Sequence, residues 1–552
     1  MKLKNLAIFL LASGLLVGCV GTENSEQTKK ADIYTEVGTY PIVKEGESDS
    51  FTLFTYLRPS VTSYNSDINI FTKYLEDLTG VKLEFTSSVS ADFAQKLNVM
   101  MISGEYVDAI LSPPYGASEL LLYGQQGIFI PLNDLIEENA PNIKKALDEN
   151  PLIKDAFTST DGNMYGLPRI GKTKGTEYCY KMWINHEWLE NLDLEVPTTT
   201  EEFYQVLKAF KEQDANKNGD PNDEIPLSGS PSLWAADPTI YLLNAFIPTS
   251  AGTGFLNLSE DKQIYHVKTT NEYKEYLKFM NRLYEEELLD PLVFTQGKQE
   301  FYKLVAATDG VGKVGALPGG SVTSFAITSD YDTWGQYTQI APLMGPDGLV
   351  SASRSFDFGT TGLVITNKCE NPEVVLRVFD YMYTDEGVTR MSFGAVGDGR
   401  LGTAPEGTVN YLGEPADYVR LDVDQSTDAA WNRIGPDGQG NDFEMLFGVR
   451  TGGAYPDVDQ ILYLSSVNDY APVAQDVATI IPPLSFSEDE SRIITDLQLA
   501  LNTYLDESAL AFITGKKDID ENWDDYLKQA EVLGLSQFLE VRQTAYDRKY
   551  KN

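Results

Sequence analysis

The chain is poor in the side chains that build reactive metal and thiol centres: its 552 residues include two His and three Cys. That excludes a disulfide-stapled scaffold and leaves little for imidazole or thiolate zinc sites. Cationic residues are scarce as well, with 43 Lys+Arg against 82 Asp+Glu and a net charge of −39. The balance argues against nucleic acid as a partner, because phosphate binding needs a cationic footprint. Beyond the N-terminus no apolar run approaches the roughly 18 residues that read as a membrane span. GxSxG, Walker A and HExxH are also missing. What is abundant is apolar and aromatic: 42% hydrophobic residues, with 31 Tyr and 25 Phe, exclude a disordered or collagenous chain. The length predicts two large lobes or more.

The N-terminus reads as an address. Lys2 and Lys4 give a positive start, and Leu6 to Leu16 is an apolar run too short to span a bilayer. Leu16-Val17-Gly18-Cys19 resembles the bacterial lipobox, in which cleavage precedes a Cys whose thiol is then acylated. Residues 1–18 are thus expected to be a lipoprotein signal peptide, with an ordinary secretory signal as the alternative. Lipidation of Cys19, palmitate included, would anchor the chain to the cell membrane on its extracytoplasmic face. Residues 19–50 hold few apolar anchors and predict a flexible tether spanning on the order of 30 Å.

Downstream, strand-like and helix-like patterns alternate. Phe51–Tyr56, Val81–Phe85 and Asp108–Leu111 read as strands, and Asn69–Leu78 and Asp92–Ser103 as helices. Such alternation predicts βαβ units and a largely parallel sheet, with binding crevices beyond the strands' carboxyl ends. Thr199 and Glu202 form a capping box, followed by Phe203, Val206, Leu207 and Phe210 at helical spacing. Further helices are expected around Tyr273–Leu289, Ser491–Leu505 and Trp523–Ala530, while 390–460 is Gly- and Asp-rich loop.

After the capped helix, Asp214, Asn216 and Asn218 occupy positions 1, 3 and 5 of a loop turned by Gly219 at position 6. That is the front half of an EF-hand calcium loop, whose hard oxygens suit Ca²⁺. Position 12 is Ile225 rather than Glu, and Pro226 prevents an exiting helix. The reading is therefore a structural calcium loop over 214–224, closed by Asp223 and Glu224, with Asp220 contributing through its carbonyl. A solvated acidic turn is the alternative.

Met182–Leu189, Val196–Phe203, Leu207–Phe210 and the loop 214–226 together resemble the large extracellular solute-binding lipoproteins of bacterial ABC transporters. The family-1 type, with LplA-like and alginate-oligosaccharide-binding members, is the one meant. Asp161-Gly-Asn-Met-Tyr-Gly-Leu-Pro168, Phe512–Gly515 and Ala545–Arg548 extend the similarity over nearly the whole mature chain. The resemblance implies a two-lobed α/β fold of the type II periplasmic-binding-protein kind, with a multi-crossing hinge and a helix-rich C-terminal part. It implies Asp214, Asn216, Asn218, Asp220, Asp223 and Glu224 as calcium-loop residues. It also implies capture of a carbohydrate, most simply an oligosaccharide, and delivery to ABC permease subunits by a tethered monomer that is not an enzyme. Approximate lobes are 51–170 with 340–400, and 171–339 with 401–552.

Sugar rings stack on aromatics, and their hydroxyls need planar polar partners. Aromatics beside turn residues are the candidates: Trp234, Trp334, Trp431, Tyr115 and Tyr165. Trp183, Trp188 and Trp523 lie in regular runs and are expected in cores. Arg169 and Arg354 are candidate forks for hydroxyls or a carboxylate. Gly310–Gly315 matches GxGxxG, but Pro318 follows where a helix must open, so no dinucleotide site is expected. Cys179 and Cys369 read as two thiols rather than one disulfide. Two rival readings share these features: a surface glycan-degrading enzyme, and a calcium-dependent adhesin or sensor.

Overall fold

A computed structural model describes residues 33–58, 61–171, 173–308, 310–355, 358–397, 400–421, 428–439, 443–450 and 455–551. The signal peptide 1–18, Cys19 and the tether as far as residue 32 fall outside the described residues. Strands follow in chain order as β1 (Asp49–Leu57), β2 (Val81–Val89), β3 (Ala109–Leu111), β4 (Leu167–Arg169), β5 (Met182–Asn185), β6 (Ile225–Leu227), β7 (Leu256–Leu258), β8 (Ile264–His266), β9 (Val314–Pro318), β10 (Tyr337–Ile340), β11 (Thr360–Ile365), β12 (Leu401–Thr403) and β13 (Tyr418–Arg420). One five-stranded sheet runs β2-β1-β3-β11-β4, a four-stranded sheet runs β10-β5-β9-β6, and β7-β8 and β12-β13 are short ribbons.

Local chemistry explains the first lobe. Helix Ile70–Thr79 starts where the Asn69 side chain accepts the Thr72 N–H and stops at Gly80, which is left-handed at φ 72°. It lays Phe71 and Leu75 on the sheet. β2 alternates buried and exposed residues from Val81 to Thr86 and pairs in parallel with β1. β1 and β3 are also parallel, so the expected βαβ order holds there. β11 then enters antiparallel to both β3 and β4. The second sheet is mixed: only β6 and β9 are parallel, and β5 opposes β9 and β10. The predicted capping box is formed, with Thr199 accepting the Glu202 N–H at the head of helix Thr200–Glu212. Three helices, Glu488–Ile513, Ile519–Val532 and Leu535–Tyr550, close the second lobe.

Two cores result. Leu53, Ile110, Val364 and Phe379 belong to the first, and Ile184, Phe203, Leu277 and Leu505 to the second. Three expected boundaries change. Residues 33–50 are not all tether: Ile42 and Val43 are buried in the first core, and the Ile42 N–H donates to the Thr79 carbonyl at 2.7 Å. A polar average over the stretch conceals that apolar pair. Ile340, Leu343 and Ala352 pack in the second core, so lobe 1 resumes only at β11. Conversely, Trp431 and Ile434 are in the first core although the sequence assigns 401–552 to lobe 2. Leu401, Phe443 and Phe447 gather with Val388 in a small cluster of their own.

The GxGxxG match proves to be packing. Gly315 lies in β9 beneath helix Thr200–Glu212, where a Cβ would overlap the Phe210 ring and sit 3.0 Å from the Pro226 carbonyl. Gly315→Ala should therefore destabilise the protein by about 1–3 kcal/mol, as over-packing does. Chemical denaturation checks this, and an unchanged midpoint would show that the sheet and helix have slack there.

Candidate functional site

Strand directions locate a cleft. In lobe 1 the carboxyl ends of β1 to β4 and the start of β11 share one edge. In lobe 2 the carboxyl ends of β6, β9 and β10 and the start of β5 share another. The chain crosses between those edges from Arg169 to Met182 and from Ile340 to Thr360. A third crossing leaves Asp437, whose carbonyl accepts the Ile170 N–H at 2.8 Å, and reaches helix Val458–Ser465 in lobe 2. The two edges consequently face each other, the arrangement in which α/β sheets bind ligands.

The crossings are tied together. Arg354, on the second, donates through Nε to Glu177 Oε1 (2.8 Å) and through Nη2 to the Tyr178 hydroxyl (3.1 Å), both on the first. Burial pulls the Glu177 carboxyl up, but Lys174 and Arg354 outweigh it and hold that group below its ordinary value. Glu444 accepts the Lys174 N–H at 2.6 Å and links the third crossing; burial raises its carboxyl to about 7. Arg354 is thus placed as a hinge clamp, not as a free fork.

The lobe 1 rim carries Arg58 after β1, Ser112 after β3, Arg169 at the end of β4, and the segment 431–437. Asp437 is fully buried and pairs with Arg169 Nε at 3.2 Å and Arg433 Nη2 at 3.4 Å. Opposite, Trp234 follows β6 with 46% of its surface exposed, its ring lying against Gly320 after β9. Ser112, Asn432 and Arg433 on this rim and Ala235 beside Trp234 have left-handed backbones (φ 49°, 54°, 63° and 52°), as do Asp193, Lys217, Phe255, Lys262 and Glu287 elsewhere. Of the aromatics singled out in the sequence, Trp234 lies exposed in the loop at the lobe 2 edge and Tyr115 lines a cavity at the lobe 1 edge.

The other three do neither. Trp431 is fully buried, donating from Nε1 to Thr72 Oγ1 at 2.7 Å amid Phe71 and Phe85. Trp334 is buried against Tyr331 and Tyr455, its Nε1 held by the Thr328 carbonyl at 2.8 Å. Tyr165 is buried over Gly124, with its hydroxyl on Asp161 at 2.8 Å. Turn residues flank all three in sequence, but each ring fills a core and its polar atom is satisfied inside. Tyr115 is buried between Tyr123 and Phe129 and lines a cavity of about 320 Å³ with Pro113 and Pro483. That cavity adjoins a second of about 380 Å³ under Ile480–Leu484. Trp183, Trp188 and Trp523 are core residues as expected. Arg58 and Arg433 were not among the sequence candidates, since a lone Arg carries no local signal.

The acidic loop folds as an oxygen-lined turn. Asp214 accepts the Asn218 and Gly219 N–H groups at 3.0 Å each, and Gly219 is left-handed at φ 92°. Asp223 accepts from the Asn216 and Asn218 amides and pairs with Lys313 at 3.0 Å. The Asp220 side chain accepts from the Asn222 N–H and amide, which is compatible with the ligand role expected of its backbone carbonyl. Glu224 is buried, and its Oε2 has no hydrogen-bond partner among the described residues. Burial, then the charges of Asp223 and Asp214, raise its carboxyl above the ordinary value. No three acidic, His or Cys side chains converge tightly enough to form a preassembled metal cluster among the described residues. The donor set is nonetheless all hard oxygen, with one orphaned buried carboxylate atom pointing to what it lacks.

The family model for bacterial extracellular solute-binding proteins matches residues 59–389. The chain is 27% identical to the fructooligosaccharide ABC transporter substrate-binding protein FusA of Streptococcus pneumoniae, over 99% of this chain and 98% of FusA. The solved structure of FusA in complex with kestose superposes with a TM-score of 0.69 at 25% identity, covering 91% of this chain and all of that one. A FusA EF-hand mutant in complex with fructo-nystose gives 0.69 at 24%, with the same coverage.

The two tryptophan environments separate cleanly by mutation. Trp431→Ala should cost about 3–5 kcal/mol of stability, and Trp234→Ala no more than about 0.5. Comparable losses in urea unfolding would put Trp234 in a core and remove it from the rim.

Proposed function

The chain belongs to the family of bacterial extracellular solute-binding proteins, and from that premise we propose that it captures an oligosaccharide between its lobes and delivers it to the membrane permease of an ABC importer. The reading is carried by the exposed Trp234 in the loop after β6 of lobe 2 and by the Arg169–Asp437–Arg433 group at the carboxyl ends of the lobe 1 strands. A ring face and planar donors are the two things a sugar requires. The family binds substrates and does not transform them, so neither rival reading, enzyme or adhesin, is needed. FusA, by its name, binds fructooligosaccharides, which supports carbohydrate as the cargo class here.

Capture works by differential contact. A ligand touching both rims binds the closed arrangement better than the open one and shifts the population towards closure. The tied crossings act as the hinge, since Arg354 and Glu177 connect the strands that must flex together. At the N-terminus, Cys19 is read as the lipidated residue that keeps the monomer at the extracytoplasmic membrane surface. No helix among the described residues is long and apolar enough to cross a membrane.

Calcium belongs to the same reading. Asp214, Asn216, Asn218, Asp223, Glu224 and the carbonyl of Asp220 would hold the ion, which supplies positive charge to a loop whose acids otherwise repel one another. Support comes from the orphaned Glu224 oxygen and from a FusA variant described as an EF-hand mutant.

Two measurements test the proposal. A thermal-shift screen of mono- and oligosaccharides should find a ligand that stabilises by about 2.7 kcal/mol at a hundredfold excess over Kd. Solution scattering should show a smaller radius of gyration with that ligand. Turnover of excess sugar, or an unchanged shape with every glycan, would overturn the capture reading. For the loop, a raised carboxyl contributes stability below its unfolded value and loses it as pH rises through the folded value. Glu224 therefore weakens the ion-free protein at neutral pH. Added Ca²⁺ should raise Tm more at neutral pH than near about pH 5, and Glu224→Gln should shrink the gain. Equal Tm with CaCl₂ and with chelator would reject the site.

A further inference from the structure

The chain carries 39 negative charges in excess, yet one end of its cleft gathers three guanidiniums around one carboxylate. Asp437 is fully buried, and its Oδ2 accepts from both Arg169 and Arg433. Arg58 lies close enough that its charge, like that of Arg169, acts on Arg433. Among the described residues Arg58 Nε, Arg433 Nε and Asp437 Oδ1 are buried without hydrogen-bond partners. Among the described residues Asp437 is the carboxylate in ion-pair contact with both Arg169 and Arg433, so two guanidiniums share one counter-charge with a third close by. Burial, with Arg169 and Arg58, depresses the Arg433 guanidinium, and Asp437 offsets only part of that.

The fold enforces this arrangement. Trp431 is bolted into the lobe 1 core through Thr72, and Ile434 is fully buried three residues later. Between those anchors Asn432 and Arg433 are both held left-handed, a conformation that non-glycine residues keep only where their surroundings impose it. The Arg433 guanidinium is further fixed by the Gly171 carbonyl at 3.2 Å. Strain and like-charge crowding persist together at the carboxyl ends of the lobe 1 strands. Arg169 and Arg433 each keep 25% of the side chain open to solvent.

A guanidinium donates and never accepts, whereas neutral sugar hydroxyls do both. Three such groups fit a ligand atom set that only accepts, and their forks match the planar carboxylate. We propose that Arg58, Arg169 and Arg433 form a carboxylate subsite, so that the captured saccharide is acidic, with a uronate-type carboxylate on the arginines and a ring on Trp234. This rests on the capture reading above and narrows its cargo. A purely structural ion pair for Asp437 would need one arginine, and the further guanidiniums are what the ligand answers.

The test uses the full chain and calorimetric titration with oligogalacturonides, alginate oligomers and glucuronoxylan fragments, each beside its carboxyl-reduced neutral twin. One acidic series should bind at least tenfold more tightly than its twin, and the difference should fall with added salt. Arg433→Met should bring the acidic ligand to the level of the twin. Arg58→Met should act in the same direction, and because Arg58 Nε has no partner it orphans nothing there if Arg433→Met fails to fold. Equal binding of acid and twin, or binding of neutral fructooligosaccharides while every uronate is refused, overturns the subsite and leaves capture standing. Refusal of every saccharide overturns both.

Discussion

Everything functional depends on the chain crossing between its two sheets at one edge only. Because β4 ends at Arg169 and β5 begins at Met182, the carboxyl ends of both sheets are forced to confront each other. Loops at those ends have no strand to pair with, so their backbones are free to adopt strained forms such as those of Ser112, Ala235 and Arg433. The same crossings are bonded side to side through Arg354, Glu177, Lys174 and Glu444. A ligand that draws the rims together therefore bends a set of strands already coupled by charge-assisted hydrogen bonds, which favours a concerted hinge over independent loop motion.

Local rules carried the parts of the fold that are local. Asn69 and Gly80 bracket a helix, Thr199 and Glu202 open another, and Val81–Phe85 alternates because one face is buried; each is readable within about a dozen residues. Burial across the chain is not. Trp431 stands in a Gly- and Asp-rich stretch that looks like surface, yet its indole bonds to Thr72, 359 positions away. Trp334 and Tyr165 mislead for the same reason: turns beside a ring describe the backbone, and the ring's surroundings come from distant elements. Gly315 runs the other way, since a phosphate-like motif became a flat spot for Phe210.

The oxygen loop shows a middle case. Its spacing named the ring residues, but only the folded chain shows the Asp220 side chain engaged by Asn222 and Glu224 buried with an unpartnered oxygen. Lys313, which partly neutralises Asp223, comes from the approach to β9 and leaves no trace in the loop's own pattern.

Charge distribution joins these strands of argument. A molecule of net charge −39 repels an acidic solute at long range, so steering cannot be what recruits one. At physiological ionic strength, however, screening acts over about 8 Å, and at the rim Arg169 and Arg433 share the buried carboxylate of Asp437 while the charge of Arg58 also acts on Arg433. Selectivity for an anion is then decided after encounter, by forks that are already oriented and desolvated, and it resides in the off-rate. The strained Asn432-Arg433 backbone fits that role, because a fork held in place by Trp431 and Ile434 loses little further freedom when a carboxylate arrives.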